Sequence, residues 1–266
     1  MKVAIVNQYT CVSPWKERWE EQMRTWIPYA RKLGIPVYSL IANPNVKEEE
    51  KDYIQVDNFI HFDGKMRFTE VNPKWGMKYD ISISYATNSA LQWAKDQDLD
   101  YLLLVDNDVF VEPRRLLNLF QKYQHAPSIA YAGHCVPYLG WDFTKYPCVH
   151  IKSPSNKTYF ASGGAGIILS KKGIKIAASD FLKELEQMKK SYKYANDYIL
   201  GCIFKNHNIP LFQDGRLFIE FPGKPQMANP NNMPIPYIGD INSHLVCQHE
   251  ANGHMDKIAQ ELGYPN

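Results

Sequence analysis

An α/β fold, with a mainly parallel sheet flanked by helices, is predicted by three features of this chain. Short β-branched or aliphatic runs alternate with longer helical patterns through its first half, as βαβ units do. One run, Tyr101-Leu102-Leu103-Leu104-Val105, is apolar at every position, as a strand buried on both faces requires. The chain has 266 residues, 45% of them hydrophobic, enough to bury a sizeable core in one α/β domain or two small ones.

The elements follow in order. Residues 2–7 read as the first strand, which turns polar at Asn7. A helix is expected over 14–32, where Ser13 suits the N-cap, Pro14 the first turn and Gly34 the C′ position. Trp15, Trp19, Met23 and Trp26 repeat at helical spacing, the mark of a stripe that packs into the core. Pro28 should kink this helix near its end. A second strand is expected over 37–42 and a second helix over 81–96. Beyond strand 101–105, a helix over 113–124 opens with proline. Short strands near 128–132 and over 159–169 precede helices over 171–193 and 197–206. Residues 221–240 are rich in Pro, Asn and Gly and lack periodicity, which reads as a loop or lid.

Composition narrows the function. The formal net charge is +2 and no basic run stands out, so nucleic acid is not the expected partner. The apolar run at residues 1–6 is too short for a signal segment or a membrane span, and no other stretch approaches span length. Five cysteines, odd in number and without paired CxxC spacing, argue for a reducing compartment and against structural zinc, leaving only a Cys135–Cys148 bridge open. A cytoplasmic protein is the expectation.

Three polar clusters interrupt this pattern. Asp106-Asn107-Asp108 directly follows the buried run. On extended backbone, carboxylates two positions apart point to the same side. They repel unless a cation or several donors compensate, and a hard divalent ion bridging a diphosphate would do so. A polar turn whose side chains bond to the backbone is the other reading. Ser162-Gly163-Gly164-Ala165-Gly166 would let a substrate approach the backbone closely, or else is a glycine-rich bulge or strand crossing. It matches neither the dinucleotide nor the P-loop pattern. Asn196-Asp197 stands at the start of a helix, as an N-cap or as a carboxylate displayed to a cleft as general base. Farther on, His244, His249 and His254 are spaced by five, which on a helix advances about 140° per step and gives no shared face.

Taken in order, these fragments resemble the fringe, core-1 and β-1,3-galactosyltransferase group of glycosyltransferases. Arg24-Thr25-Trp26 is similar to that group's R-x-T-W element, and residues 101–111 (YLLLVDNDVFV) to its strand and DDD motif. Residues 161–170 (ASGGAGIILS) resemble SGGAGYVLS, residues 196–201 (NDYILG) resemble E-D-V-x-x-G, and Ser243-His244-Leu245 resembles the S-H-L of a C-terminal element. The resemblance implies a GT-A-type, Rossmann-like fold and an inverting transferase using a UDP-sugar and Mn²⁺, or Mg²⁺. It implies that Asp106, Asp108 and His244 ligate the metal and that Asp197 is the catalytic base. Arg24, Asp106, Asn107, Gly163 and Gly164 would contact the donor. Residues 1–112 would form the nucleotide-sugar-binding half, and 113–266 the acceptor-side half containing the 221–240 loop. The acceptor would be a hydroxyl of a glycan, a lipid-linked sugar or a protein. Two departures stand out: Asn107 replaces the middle Asp, and Asn196 replaces the Glu before the base.

Two other functions compete. A nucleotidyltransferase making NDP-sugars also joins such a sheet to a DxD, but should carry a glycine-rich loop after the first strand, where residues 7–14 hold no glycine. A catalytically silent nucleotide-sugar-binding module would bind UDP without turnover.

Overall fold

The apolar run 101–105 lies in the interior of the main sheet, and the rest of the fold is arranged around it. A computed structural model describes residues 1–8, 15–43, 59–63, 70–71, 78–79, 81–136, 148–189, 195–214, 216–218, 246–248 and 255–264. The strands are β1 (Val3–Gln8), β2 (Val37–Asn43), β3 (Phe59–Asp63), β4 (Glu70–Val71), β5 (Lys78–Tyr79), β6 (Tyr101–Val105), β7 (Phe110–Val111) and β8 (Tyr131–Gly133). They continue with β9 (Cys135–Val136), β10 (Cys148–Ile151), β11 (Phe160–Ala161), β12 (Ile167–Ser170), β13 (Leu211–Asp214), β14 (Leu217–Phe218) and β15 (Cys247–Gln248). The helices are α1 (Trp15–Arg24), α2 (Trp26–Lys32), α3 (Ile81–Asp96), α4 (Pro113–Gln124), α5 (Lys171–Lys189), α6 (Asn196–Asn206) and α7 (Met255–Glu261).

Eight strands form one mixed sheet in the order β10-β13-β8-β12-β6-β1-β2-β3. Pairings β1–β2, β1–β6, β2–β3 and β8–β13 are parallel, whereas β12 runs against both β6 and β8, and β10 against β13. The chain walks outward from β1 through β2 to β3, then returns to the other side of β1 as β6. That reversal opens a crevice at the carboxyl ends of β1 and β6, where open α/β sheets bind ligands.

Side-chain alternation explains the layers. Ala4, Val6, Leu102 and Leu104 face a core that also takes Leu91, Phe181 and Ile203 from α3, α5 and α6. Val3, Ile5, Leu103 and Val105 face a second core with Trp26, Phe120 and Ile258 from α2, α4 and α7. A strand apolar at every position is what two such cores demand. The C-terminal helix is tied back by Met255 N–H to Glu21 Oε1 (2.9 Å) and by the Tyr264 hydroxyl to Glu112 Oε1 (2.7 Å).

The structure corrects the expected long first helix. It breaks at Thr25, not near its end, so Pro28 falls in the first turn of α2. Proline cannot donate to the carbonyl four residues back and its ring crowds that carbonyl, which belongs to Arg24. Trp19 and Trp26 are buried, as the stripe predicted. The strand expected over 159–169 divides into β11, a 3-10 turn at Gly163–Ala165 and β12. The loop at 221–240 lies outside the described residues. Cys135, Cys202 and Cys247 are free and buried. No helix among the described residues is long and apolar enough to cross a membrane.

Candidate active site

The acidic segment is a turn rather than an extension of β6. The strand ends at Val105, and Val109 N–H reaches back to the Asp106 carbonyl (3.3 Å). The period-two argument for Asp106 and Asp108 therefore does not apply. Asn107 and Asp108 are buried, while Asp106 is partly exposed. Arg18 on α1 donates from Nη1 to Asp108 Oδ2 (3.2 Å), so a guanidinium supplies part of the positive charge that paired carboxylates require.

The glycine segment is held opposite. Ser162 N–H donates to the His134 carbonyl (2.8 Å), and the 3-10 turn follows. Gly166 ends it at φ +88°, where L side chains are strained, and a Cβ there would also lie 3.2 Å from Leu103 Cδ1 and 3.3 Å from Cys247 Sγ. Gly163 is different. A Cβ on it would lie 3.8 Å from Asp106 Oδ2, 3.9 Å from Asp197 Cβ and 4.0 Å from Asn196 Oδ1. Three segments far apart in sequence thus converge on the space that this glycine leaves open.

Asp197 sits in the first turn of α6. The N-cap is Ala195, which has no side-chain oxygen to offer, so neither Asn196 nor Asp197 is the cap. Asn196 donates from Nδ2 to Thr87 Oγ1 on α3 (3.0 Å). Asp197 Oδ1 accepts from Tyr198 N–H (2.7 Å), and Oδ2 accepts a longer bond from Gly163 N–H (3.4 Å). Burial raises the pKa of this carboxyl above the ordinary Asp range, and the backbone donors offset only part of the rise. A carboxylate oriented by backbone N–H groups and made more basic by burial is suited to take a proton.

Asp106, Gly163, Asn196 and Thr87 line a cleft floored by Val6, Leu104 and Val105, at the crevice between the ends of β1 and β6. The remaining candidates are placed elsewhere. Gly164 is buried in its turn. Arg24 is exposed and pairs with Asp256 of α7 (3.2 Å), so Arg18, one face round α1, is the arginine beside the acidic turn. His244 lies outside the described residues, as do His249 and His254. Between them Cys247–Gln248 is strand, so the helical spacing argument fails for that segment. Among the described residues, no three His, Cys, Asp or Glu side chains gather to hold a metal ion. Sequence reasoning missed Arg18, Thr87 and the buried amides of Asn7 and Gln22. The four-residue step from Arg18 to Gln22 on one helix face was the signal available.

This fold, with an acidic turn and a partly buried carboxylate converging on a glycine, defines a glycosyltransferase of GT-A type. The chain belongs to the fringe-like family, whose model matches residues 5–220. No curated protein sequence matches it significantly. Among solved structures it is similar to a glycosyltransferase involved in glycosylation of the major capsid of PBCV-1, with TM-score 0.50 and 9% identity over 99% of both chains. It also aligns with CMP:2-keto-3-deoxy-manno-octonic acid synthetase complexed with CTP (TM-score 0.41, 11% identity, 79% of this chain and 88% of that one). A third similar structure is mouse xyloside xylosyltransferase 1 (TM-score 0.39, 9% identity, 79% and 83%).

Proposed function

We propose that this glycosyltransferase moves a sugar from a UDP-sugar to a hydroxyl acceptor with inversion, in a metal-dependent reaction with Asp197 as base. The observation that carries the reading is the convergence of Asp106 and Asp197 on Gly163, within 4.0 Å of where its Cβ would stand. A donor whose diphosphate lies by Asp106 would bring its anomeric carbon into the space that Asp197 borders. Asp197 accepts the proton of the acceptor hydroxyl, that oxygen bonds to the anomeric carbon, and the bond from this carbon to the diphosphate oxygen breaks. Attack from the face opposite the leaving group inverts the centre.

The carboxylates suit a hard divalent ion, which takes oxygen ligands and completes its shell from phosphate and water. Asp106, Asp108 and His244 would hold Mn²⁺ or Mg²⁺, whose charge would stabilise the departing UDP. Asp106 Oδ2 borders the open space by Gly163, which supports this fit. The acceptor is taken to be a glycan, lipid-linked or protein hydroxyl. The compartment of the enzyme is taken to be the cytoplasm, on cysteines that are few, odd in number and without CxxC spacing.

A ligand that binds only the folded state raises its melting temperature by mass action. UDP should therefore raise Tm far more with Mn²⁺ than with chelator. Asp108→Ala should abolish the difference and Asn107→Ala should keep most of it. Equal shifts in both conditions would remove the metal from the reading. UDP release in an acceptor screen then tests transfer, and pyrophosphate release from UTP and a sugar phosphate would favour a nucleotidyltransferase instead.

A further inference from the structure

Behind the acidic turn runs a chain of buried polar side chains that takes no part in the chemistry above. Trp19 Nε1 donates to Ser39 Oγ (2.9 Å), and the Ser39 hydroxyl donates to Asn7 Oδ1 (2.6 Å). Asn7 Nδ2 donates to Gln22 Oε1 (2.7 Å). Gln22 Nε2 then donates to two backbone carbonyls, those of Asp106 (3.1 Å) and Val109 (2.8 Å). Asn7 and Gln22 are fully buried, and Trp19 and Ser39 nearly so.

This chain has a single direction. An indole N–H can only donate and a backbone carbonyl can only accept. Because Trp19 donates to Ser39, the one hydroxyl hydrogen of Ser39 goes to Asn7, which sets the Asn7 amide with its oxygen toward Ser39. The Asn7 NH₂ must then face Gln22 Oε1, and both hydrogens of the Gln22 amide must face the turn. Reversing any amide would set oxygen against oxygen among buried side chains. The two carbonyls bridged by Gln22 bracket Asn107 and Asp108, so the amide spans the turn like a brace.

We propose that Gln22 is a positioning residue, oriented by the Trp19–Ser39–Asn7 relay, that holds Asp106 and Asp108 in the arrangement that receives the donor diphosphate. The proposal rests on the donor-site reading of those two aspartates. Gln22 reaches the acidic turn only through backbone carbonyls, so its effect on ligand binding must pass through the turn.

The experiment measures UDP affinity in the presence of Mn²⁺ by calorimetry, well below Tm, for Gln22→Met, Ser39→Ala, Asp108→Asn and the Gln22→Met/Asp108→Asn double variant. Gln22→Met keeps the length of the side chain and deletes the amide. It should weaken UDP by about tenfold, the scale of one lost hydrogen bond. Ser39→Ala, which leaves the turn untouched, should weaken it in the same direction by about threefold, and carries the test alone if Gln22→Met does not fold. The double variant should bind no more weakly than Asp108→Asn, since residues acting through one another are not additive. A core truncation in α5, Leu185→Ala, should lower Tm while leaving UDP affinity unchanged, which separates positioning from stability. Unchanged affinity in folded Gln22→Met, or fully additive losses in the double variant, would overturn the proposal alone. Unchanged affinity in Asp108→Asn would overturn the donor-site reading and the proposal with it.

Discussion

At the scale of single residues, the burial of Asp197, the proposed base, carries a cost in stability. Burial raises its pKa, against the pull of the Gly163 and Tyr198 N–H groups. The folded chain therefore holds this proton more tightly than the unfolded chain, whose value is near 3.8. Its contribution to stability is full below that value and is lost as pH rises through the folded pKa. At neutral pH the ionised carboxylate thus costs the fold something that an amide would not. Asp197→Asn should therefore melt at or above the wild-type temperature at pH 7, and lose that advantage as the solution is acidified. Its kcat should fall by about 10² to 10⁴, the usual effect of removing a general base, while UDP affinity holds. In the wild type, kcat/KM should rise with pH through the same elevated pKa. An Asn variant keeping more than about a tenth of wild-type kcat would end the case for this base.

At the scale of elements, the close seating of α6 on β11 decides where Asp197 points. Gly201 lies four residues after Asp197, on the same face of the helix, and a Cβ there would stand 2.4 Å from Phe160 Cβ. Nothing flexible can give way, so Gly201→Ala must lift α6 and carry Asp197 with it. A loss of about 1–3 kcal/mol in urea unfolding, typical of overpacking, should accompany a fall in activity. Gly163→Ala should behave oppositely. Its Cβ would meet nothing nearer than 3.8 Å, so stability should change by less than about 0.5 kcal/mol, but the methyl group fills the space between Asp106 and Asp197. Full activity in Gly163→Ala would show that no substrate occupies that space. These two glycines also show what a sequence can disclose. Both belong to motifs visible in the chain, yet the packing role of one and the cleft role of the other depend on partners in separate segments, Phe160 for Gly201 and Asp106 and Asp197 for Gly163. Long helices such as α3 and α4 were legible to the residue, because many positions vote for one period, and β6 because every one of its positions is apolar. Two-residue strands such as β7, β11 and β14 have no period to read, and exist because a neighbour pairs with them. Asp106, Asp108 and Asp197 were legible because charge at the end of an apolar strand or at a helix start breaks the pattern. Arg18 and Gln22 were not, since a polar step of four on an amphipathic helix reads as its solvent face until the turn is packed against it.

At the scale of the whole molecule, His134 links the main sheet to the site and to the small sheet of β14, β15 and β7. It follows β8, its carbonyl accepts from Ser162 N–H at the start of the glycine turn, and its ring bonds to the backbone at Leu217. Burial pushes the pKa of this imidazole down to about 4, with the Leu217 bond offsetting part of the shift. The sign is opposite to that of Asp197. Between the unfolded value of 6.5 and about 4, the unfolded chain binds a proton that the folded chain refuses. Stability from His134 is therefore full above 6.5 and drains away as pH falls through that window. The interval corresponds to about 3 kcal/mol when complete, a large share of the roughly 5–15 kcal/mol that holds a typical domain together. His134→Gln removes the titration while keeping a donor that can reach the Leu217 carbonyl. Urea unfolding at pH 7 and pH 4.5 should show the wild type losing about 2 kcal/mol more than this variant, all other groups being common to both. Because the same residue anchors the glycine turn, UDP binding should weaken over the same acid range in the wild type and less in His134→Gln. Parallel stability curves for the two proteins would mean that the ring is solvated in the folded state, and that acid sensitivity enters the molecule somewhere else.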